Sequence, residues 1–221
     1  MGATYGSLHP QCEERVCAAA ADQGGRDRYT GRVTEAGMRE PGGAVPRGEV
    51  RPAGSPTDET AIRWPEEHHP SRTAVHVRNE LSMPAPPEAV WAWLVRAELW
   101  PRWYRKSHRV RIVSGPRPDL ALGSRFHWWT FGVAIDSTVA ELVPCERLAW
   151  TARGIGVRAY HAWLLRPTGQ GGCHVLTEET QDGWAARLGS LLMPNRMHRG
   201  HQIWLEALAQ KAATRPPPPA R

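Results

Sequence analysis

Lysine is almost missing from this 221-residue chain: Lys106 and Lys211 are the only two, and arginine carries the rest of a +6 net charge. The arginines are scattered and form no run of five or more, as a basic nucleic-acid-binding tail would. Heavy use of Arg, Ala, Gly and Pro reads as a GC-rich coding bias. The positive balance is therefore a weak pointer to nucleic acid, and no nucleic-acid partner is expected. Long apolar runs are missing too, so no membrane-spanning helix is expected. The start holds no apolar stretch of the kind a secretory signal needs. Gly6 stands where a myristoylation pattern wants Ser or Thr. Cysteine is sparse: Cys12, Cys17, Cys145 and Cys173 lie too far apart for a zinc set and are too few for a disulfide framework. A reduced, cytoplasmic location is the default that follows.

Large apolar residues are withheld from the first part of the chain. From Met1 to Ile62 there is no Trp or Phe, and Leu8 is the only leucine. Such a stretch cannot bury enough area to offset ~1–2 kcal/mol of backbone entropy per residue. Residues 1–70 are expected to be disordered, with His68-His69 in a linker. A start at Met38, with the upstream stretch outside the native protein, is the sharper form of that expectation. The end, Arg215-Pro-Pro-Pro-Pro-Ala-Arg221, reads as a frayed polyproline tail over 214–221.

What is present lies between these ends, where all eleven tryptophans fall, from Trp64 to Trp204. Val75–Met83 alternates as a half-buried strand. Pro84-Ala-Pro-Pro87 stops it and opens a helix over Glu88–Arg96. A second short helix covers Leu99–Tyr104. Strands follow at Arg109–Ser114, Ser124–Phe131, Val133–Leu142, Arg147–Arg153, Arg158–Arg166 and Cys173–Thr180, joined by short turns that favour antiparallel neighbours. Trp184–Ala213 is helical, with Leu188, Leu191, Leu192 and Leu208 among its apolar positions, and Pro194 should kink or restart it. This order is an α+β domain: an antiparallel sheet with helices on one face.

The stretch Pro87-Glu-Ala-Val-Trp-Ala-Trp93 resembles the START-like (SRPBCC) superfamily of polyketide cyclases, dehydratases and lipid-transfer proteins. Trp100-Pro-Arg-Trp103, Gly123-Ser-Arg-Phe126, Val139–Pro144 with Arg147–Trp150, and Trp204-Leu-Glu-Ala-Leu208 carry the same likeness. It covers 74–213. It implies a helix-grip fold: a curved seven-stranded sheet wrapped around the C-terminal helix, with a cavity for an apolar or amphipathic small molecule. It implies no cofactor.

The inward-facing residues can build a core or line a ligand site. On the ligand reading the wall is Phe126, Trp128, Ile135, Ser137, Val139, Trp150, Trp163 and Thr177, with Leu192 and Met197 from the closing helix. Two polar residues on that face carry chemistry. If the hairpin turns about Gln170, Leu165 faces Val175, Trp163 faces Thr177, and His161 faces Glu179, with Cβ atoms ~4.5–5.5 Å apart; a two-residue slip sets His161 opposite Thr177 or Gln181 on the same face, and a one-residue slip turns one side out. A histidine oriented by a carboxylate can take a proton from an acidic carbon and return one to an oxygen, as polyketide cyclisation or dehydration requires. The preferred reading is plainer, an ion pair near the sheet edge that anchors the strand end, and a third use is to orient a ligand's polar head.

Other features suggest less. His198 and His201 can share a metal, but no third ligand is evident, and an exposed basic face with Arg196 and Arg199 is the preferred reading. No metal site is therefore expected. Cys173 and His174 point to opposite faces, so they make no nucleophile pair. Cys145 sits in a turn with no partner visible. Arg102, Arg105, Lys106, Arg109 and Arg111 lie beside the expected cavity mouth. Trp129 and Phe131 face outward, either as a homodimer or partner surface or tucked under a loop.

Overall fold

The computed structural model describes Cys12 and residues 61–218. In chain order the elements are β1 (Val75–Met83), α1 (Pro87–Leu94), a 3-10 segment (Ala97–Arg102), β2 (Ser107–Ser114), β3 (Arg125–Thr130), β4 (Val133–Val143), β5 (Arg147–Gly154), β6 (Val157–Pro167), β7 (Cys173–Asp182), α2 (Trp184–Leu192) and α3 (Arg196–Ala212). The strands form one antiparallel sheet in the order β1-β7-β6-β5-β4-β3-β2. Among the described strands, only the β7–β1 contact joins strands distant in sequence. The α+β helix-grip architecture is thus present.

Local chemistry explains the elements. Pro87 occupies the first helical position of α1, where its missing N–H costs nothing, and Glu88 follows in the first turn. Pro194 cannot continue α2, so the helix ends at Leu192 and restarts at Arg196. The register slips between Val139 and Glu141 in β4 and at two places along β2, and such bulges bend and twist a sheet. The concave face closes over α1 and α3.

The core is a continuous stack of rings. Trp100 stands 5.1–5.7 Å from Phe126, Trp128, Trp150 and Trp204. Trp204 in turn stacks on Tyr104 at 4.4 Å and meets Trp163 edge-on at 5.1 Å. Three-dimensional packing therefore uses several of the indoles as filling.

The expected extent of the disordered extension is corrected first: its residues 61–70 have a defined place in the structure. Ile62 and Trp64 pack with Tyr160, Leu164 and Leu176 on the convex face of the sheet. His68 stacks on Tyr160, its carbonyl accepts from Thr180 Oγ1, and Ala61 O accepts from the buried Arg147. Tyr160, Ala162 and Leu164 of β6 and Leu176 of β7 are apolar on this face, so something must cover them, and this segment does. Removing residues 1–72 is expected to cost on the order of 3 kcal/mol more than removing residues 1–60, from the burial of Ile62 and Trp64 alone. Urea unfolding of the two truncated chains measures the difference. At the other end, Arg96 Nη1 donates to Pro218 O, so the described part of the tail has a partner. The rest of both extensions, a start at Met38 included, lies outside the described residues.

Cysteine is the second correction. Cys12 and Cys145 form a disulfide, with their Cα atoms 5.7 Å apart, within the ordinary range for a bridge. The turn cysteine thus has a partner far away in sequence. Such bonds persist in oxidising surroundings, so the cysteine count no longer argues for a reducing compartment. Cys173 is free, and burial pushes its thiol up to about 12. That suits a core residue and not a nucleophile.

Candidate functional site

A partly open cavity of about 150 Å³ lies between the concave face and α2. Its inner walls are Trp128, Trp150 and Trp204, and its floor includes Ala152 and Ala159. These two alanines face each other across β5 and β6, beside Trp150 and His161 on the same face. Small residues at inward positions are what keep this end of the interior hollow. Helix α2 roofs it with small side chains, Ala185, Ala186, Gly189 and Ser190. The rim carries the exposed Ile155, Met193 and Arg196.

The expected wall residues divide. Trp128, Ile135, Trp150 and Met197 line this cavity. Phe126, Val139 and Trp163 do not; they are packed inside the hydrophobic core. Ser137 is buried behind the wall, accepting from Trp128 Nε1 at 3.0 Å. Thr177 lies behind His161. Leu192 faces solvent, as do Leu188 and Leu191. Alternation reports which face of a strand is inward. It does not report whether an inward residue meets a ring or a void. For α2 the reason is different: its small residues face the cavity, which turns its leucines out.

The polar end of the cavity is built by three elements. β6 and β7 pair His161 with Glu179, Trp163 with Thr177 and Leu165 with Val175, the register expected from the hairpin. His161 Nδ1 lies 3.1 Å from Glu179 Oε2. The third member is His201 of α3, whose Nε2 donates to the same Oε2 at 3.0 Å. Glu179 Oε1 accepts from Gln181 Nε2 at 2.7 Å. His161 and His201 stack at 4.7 Å, and Trp163 covers the other side of His161 at 5.2 Å. Gly200 lets α3 approach: a Cβ there would stand 2.3 Å from Phe131 Cζ.

Burial pushes the His161 imidazole well below its usual range, although Glu179 opposes the shift. Burial works to raise the Glu179 carboxyl, but the His161 field, the His201 hydrogen bond and the Gln181 amide together hold it below the ordinary carboxylate range. An ionised carboxylate and two imidazoles thus meet inside the fold, at the end of an apolar space.

His201 corrects the expected exposed basic face, for it is 1% exposed. A signal was there: Trp204, Leu205 and Leu208 follow it at three, four and seven residues, one helical stripe. His198, Arg196 and Arg199 do face solvent. The five basic residues from Arg102 to Arg111 are exposed and line no part of this cavity; its arginine is Arg196, which donates to Phe131 O. Phe131 is tucked against α3 and lines the cavity, whereas Trp129 is 38% exposed under Arg109.

Residues 74–213 match the family model for polyketide cyclase/dehydrase and lipid transport proteins. The chain belongs to this family. Among solved structures, a hypothetical protein of Helicobacter pylori is 29% identical, with TM-score 0.66, over 72% of this chain and 99% of its own. A START superfamily protein of Mycobacterium smegmatis, 11% identical, has TM-score 0.53 over 62% of this chain and 97% of its own. The aromatase/cyclase Zhui of a Streptomyces species, 16% identical, has TM-score 0.52 over 63% and 93%. At that identity the last two share the fold alone. A search of curated proteins returns no match. Family membership accounts for the grip of the sheet on α3. Among the described residues, no helix is long and apolar enough to cross a membrane.

Proposed function

We propose that this family member binds one small amphipathic molecule, its apolar part between Trp128, Trp150 and Trp204 and its polar group against His161, Glu179 and His201. The observation that carries this reading is the hollow itself: an apolar space with a buried charged cluster at one end, the usual makeup of a small-molecule site. About 150 Å³ is the size of a cavity that takes a benzene ring. One ring fits, and a second ring or a longer chain must extend past the rim. Native mass spectrometry of protein from its own host should show a co-purified small molecule. Titration with 1-naphthol, a two-ring phenol, should saturate at a single site and quench tryptophan emission. No saturable binding of either kind overturns the reading.

The buried cluster favours a second reading, a cyclase, aromatase or dehydratase in which His161 and Glu179 move protons on a polyketide-like substrate. A neutral imidazole beside a carboxylate can accept a proton from carbon and pass one to oxygen. Under this reading His161→Ala and Glu179→Ala abolish turnover while ligand affinity is kept. Unchanged turnover removes it.

A further inference from the structure

We propose that His161 Nδ1, Glu179 Oε2 and His201 Nε2 bind a divalent first-row transition metal ion whose open coordination positions face the cavity. The proposal goes beyond ligand binding and does not depend on it.

The hydrogen bonds around His161 point this way. Thr177 Oγ1 lies 2.8 Å from His161 Nε2 and 3.2 Å from Ala162 O. The other ring nitrogen, Nδ1, faces Glu179 Oε2 at 3.1 Å. A polar partner on one ring nitrogen, with the other turned toward a neighbouring donor, is how metal-bound histidines are oriented. Gln181 does the same for the carboxylate by holding Oε1.

The spacing agrees. Zinc bonds to imidazole nitrogen and carboxylate oxygen are ~2.0–2.2 Å, so neighbouring donors around one ion stand roughly 2.8–3.6 Å apart between octahedral and tetrahedral angles. Glu179 Oε2 stands 3.1 Å from one nitrogen and 3.0 Å from the other. All three donor atoms lie within 4.8 Å of one another, so an ion has to draw the two imidazoles together and displace the His201 Nε2 proton to solvent. The elements are rigid: two donors come from paired strands and the third from a 17-residue helix.

The donor set selects the ion class. Two imidazoles and one carboxylate, with no thiolate, suit Zn²⁺, Fe²⁺ or Mn²⁺ better than Ca²⁺ or Mg²⁺. Three protein ligands leave at least one position open, which distinguishes reactive or ligand-binding sites from closed structural ones. All three residues line the cavity, so that position is available to a guest. The matching guest class is a molecule with oxygen donors beside its ring, such as a hydroxyketone or an enolisable diketone.

The test uses the full chain, stripped by dialysis against a chelator and then equilibrated with ZnCl₂. Wild type and His198→Ala, altered at an exposed histidine of the same helix, should each hold about one tightly bound zinc. Glu179→Gln and His161→Gln should bind it at least about tenfold more weakly. Saturating zinc should raise the wild-type Tm by about 5–10 °C at a hundred times its Kd. X-ray absorption of zinc-loaded wild type reads the ligands without any variant, and should show imidazole nitrogen and oxygen only. Less than about a tenth of an equivalent in wild type, full retention in Glu179→Gln, or sulfur in the first shell each overturns the site. Binding of 1-naphthol without zinc uptake would leave the proposed function standing and remove the ion alone.

Discussion

Trp100→Ala is expected to lower the unfolding free energy by about 3–5 kcal/mol, the range for deleting a large ring from a packed interior. The residue is fully buried and touches four other aromatic rings at 5.1–5.7 Å. Most of these are edge-on or tilted contacts, the geometries in which aromatic pairs add ~0.5–1.5 kcal/mol beyond burial. Its Nε1 also donates to Leu94 O at 3.0 Å, closing the end of α1. Alanine leaves that buried carbonyl without its donor, a further ~1–3 kcal/mol. A domain of this size commonly has only about 5–15 kcal/mol in total, so the variant should sit near its unfolding threshold at 37 °C. Trp100→Phe should retain most of the stability and lose chiefly the hydrogen bond. Guanidinium unfolding of the three proteins gives the comparison. A loss under about 1 kcal/mol for alanine would mean that the ring stack is not what holds sheet to helices.

The second large effect is on binding. Ala159→Phe places a ring in the floor of the cavity, opposite Ala152 and beside Gln181 of β7. With about 150 Å³ to begin with, one phenyl group occupies most of the space a guest would use. Affinity for 1-naphthol should fall at least about a hundredfold, because the guest would have to displace a covalently held ring. Stability should change little, since the ring enters a void rather than a filled site. Leu192→Ala, altered on the solvent side of α2, should bind as wild type does. Calorimetric titration of the three proteins separates the outcomes. Retained affinity in Ala159→Phe would place the guest elsewhere.

Much of the architecture was legible in the linear chain. β1 begins and ends where alternation from Val75 to Met83 placed it, because each strand half-buries and period two shows on its surface. The β6–β7 register followed from a short glycine-rich turn, Thr168–Gly172, which allows few ways to close a hairpin. Pro194 marked the break between the last two helices for a reason internal to its ring.

The site was legible in part. His161 and Glu179 are neighbours through local pairing, so two residues 18 apart could be joined on paper. His201 could not be joined to them, since nothing in a helical stripe says which strand it lies across. Inward tryptophans look alike in sequence, yet Trp163 is core and Trp150 is wall, a division set by where the bent sheet meets α3. Cys12 finds Cys145 across 133 residues by the same kind of distant closure. Local periodicity and turn chemistry determined elements, register and the facing pair; the hollow, the third donor and the disulfide came only from tertiary packing, because each depends on contacts between elements whose relative placement no short-range pattern encodes.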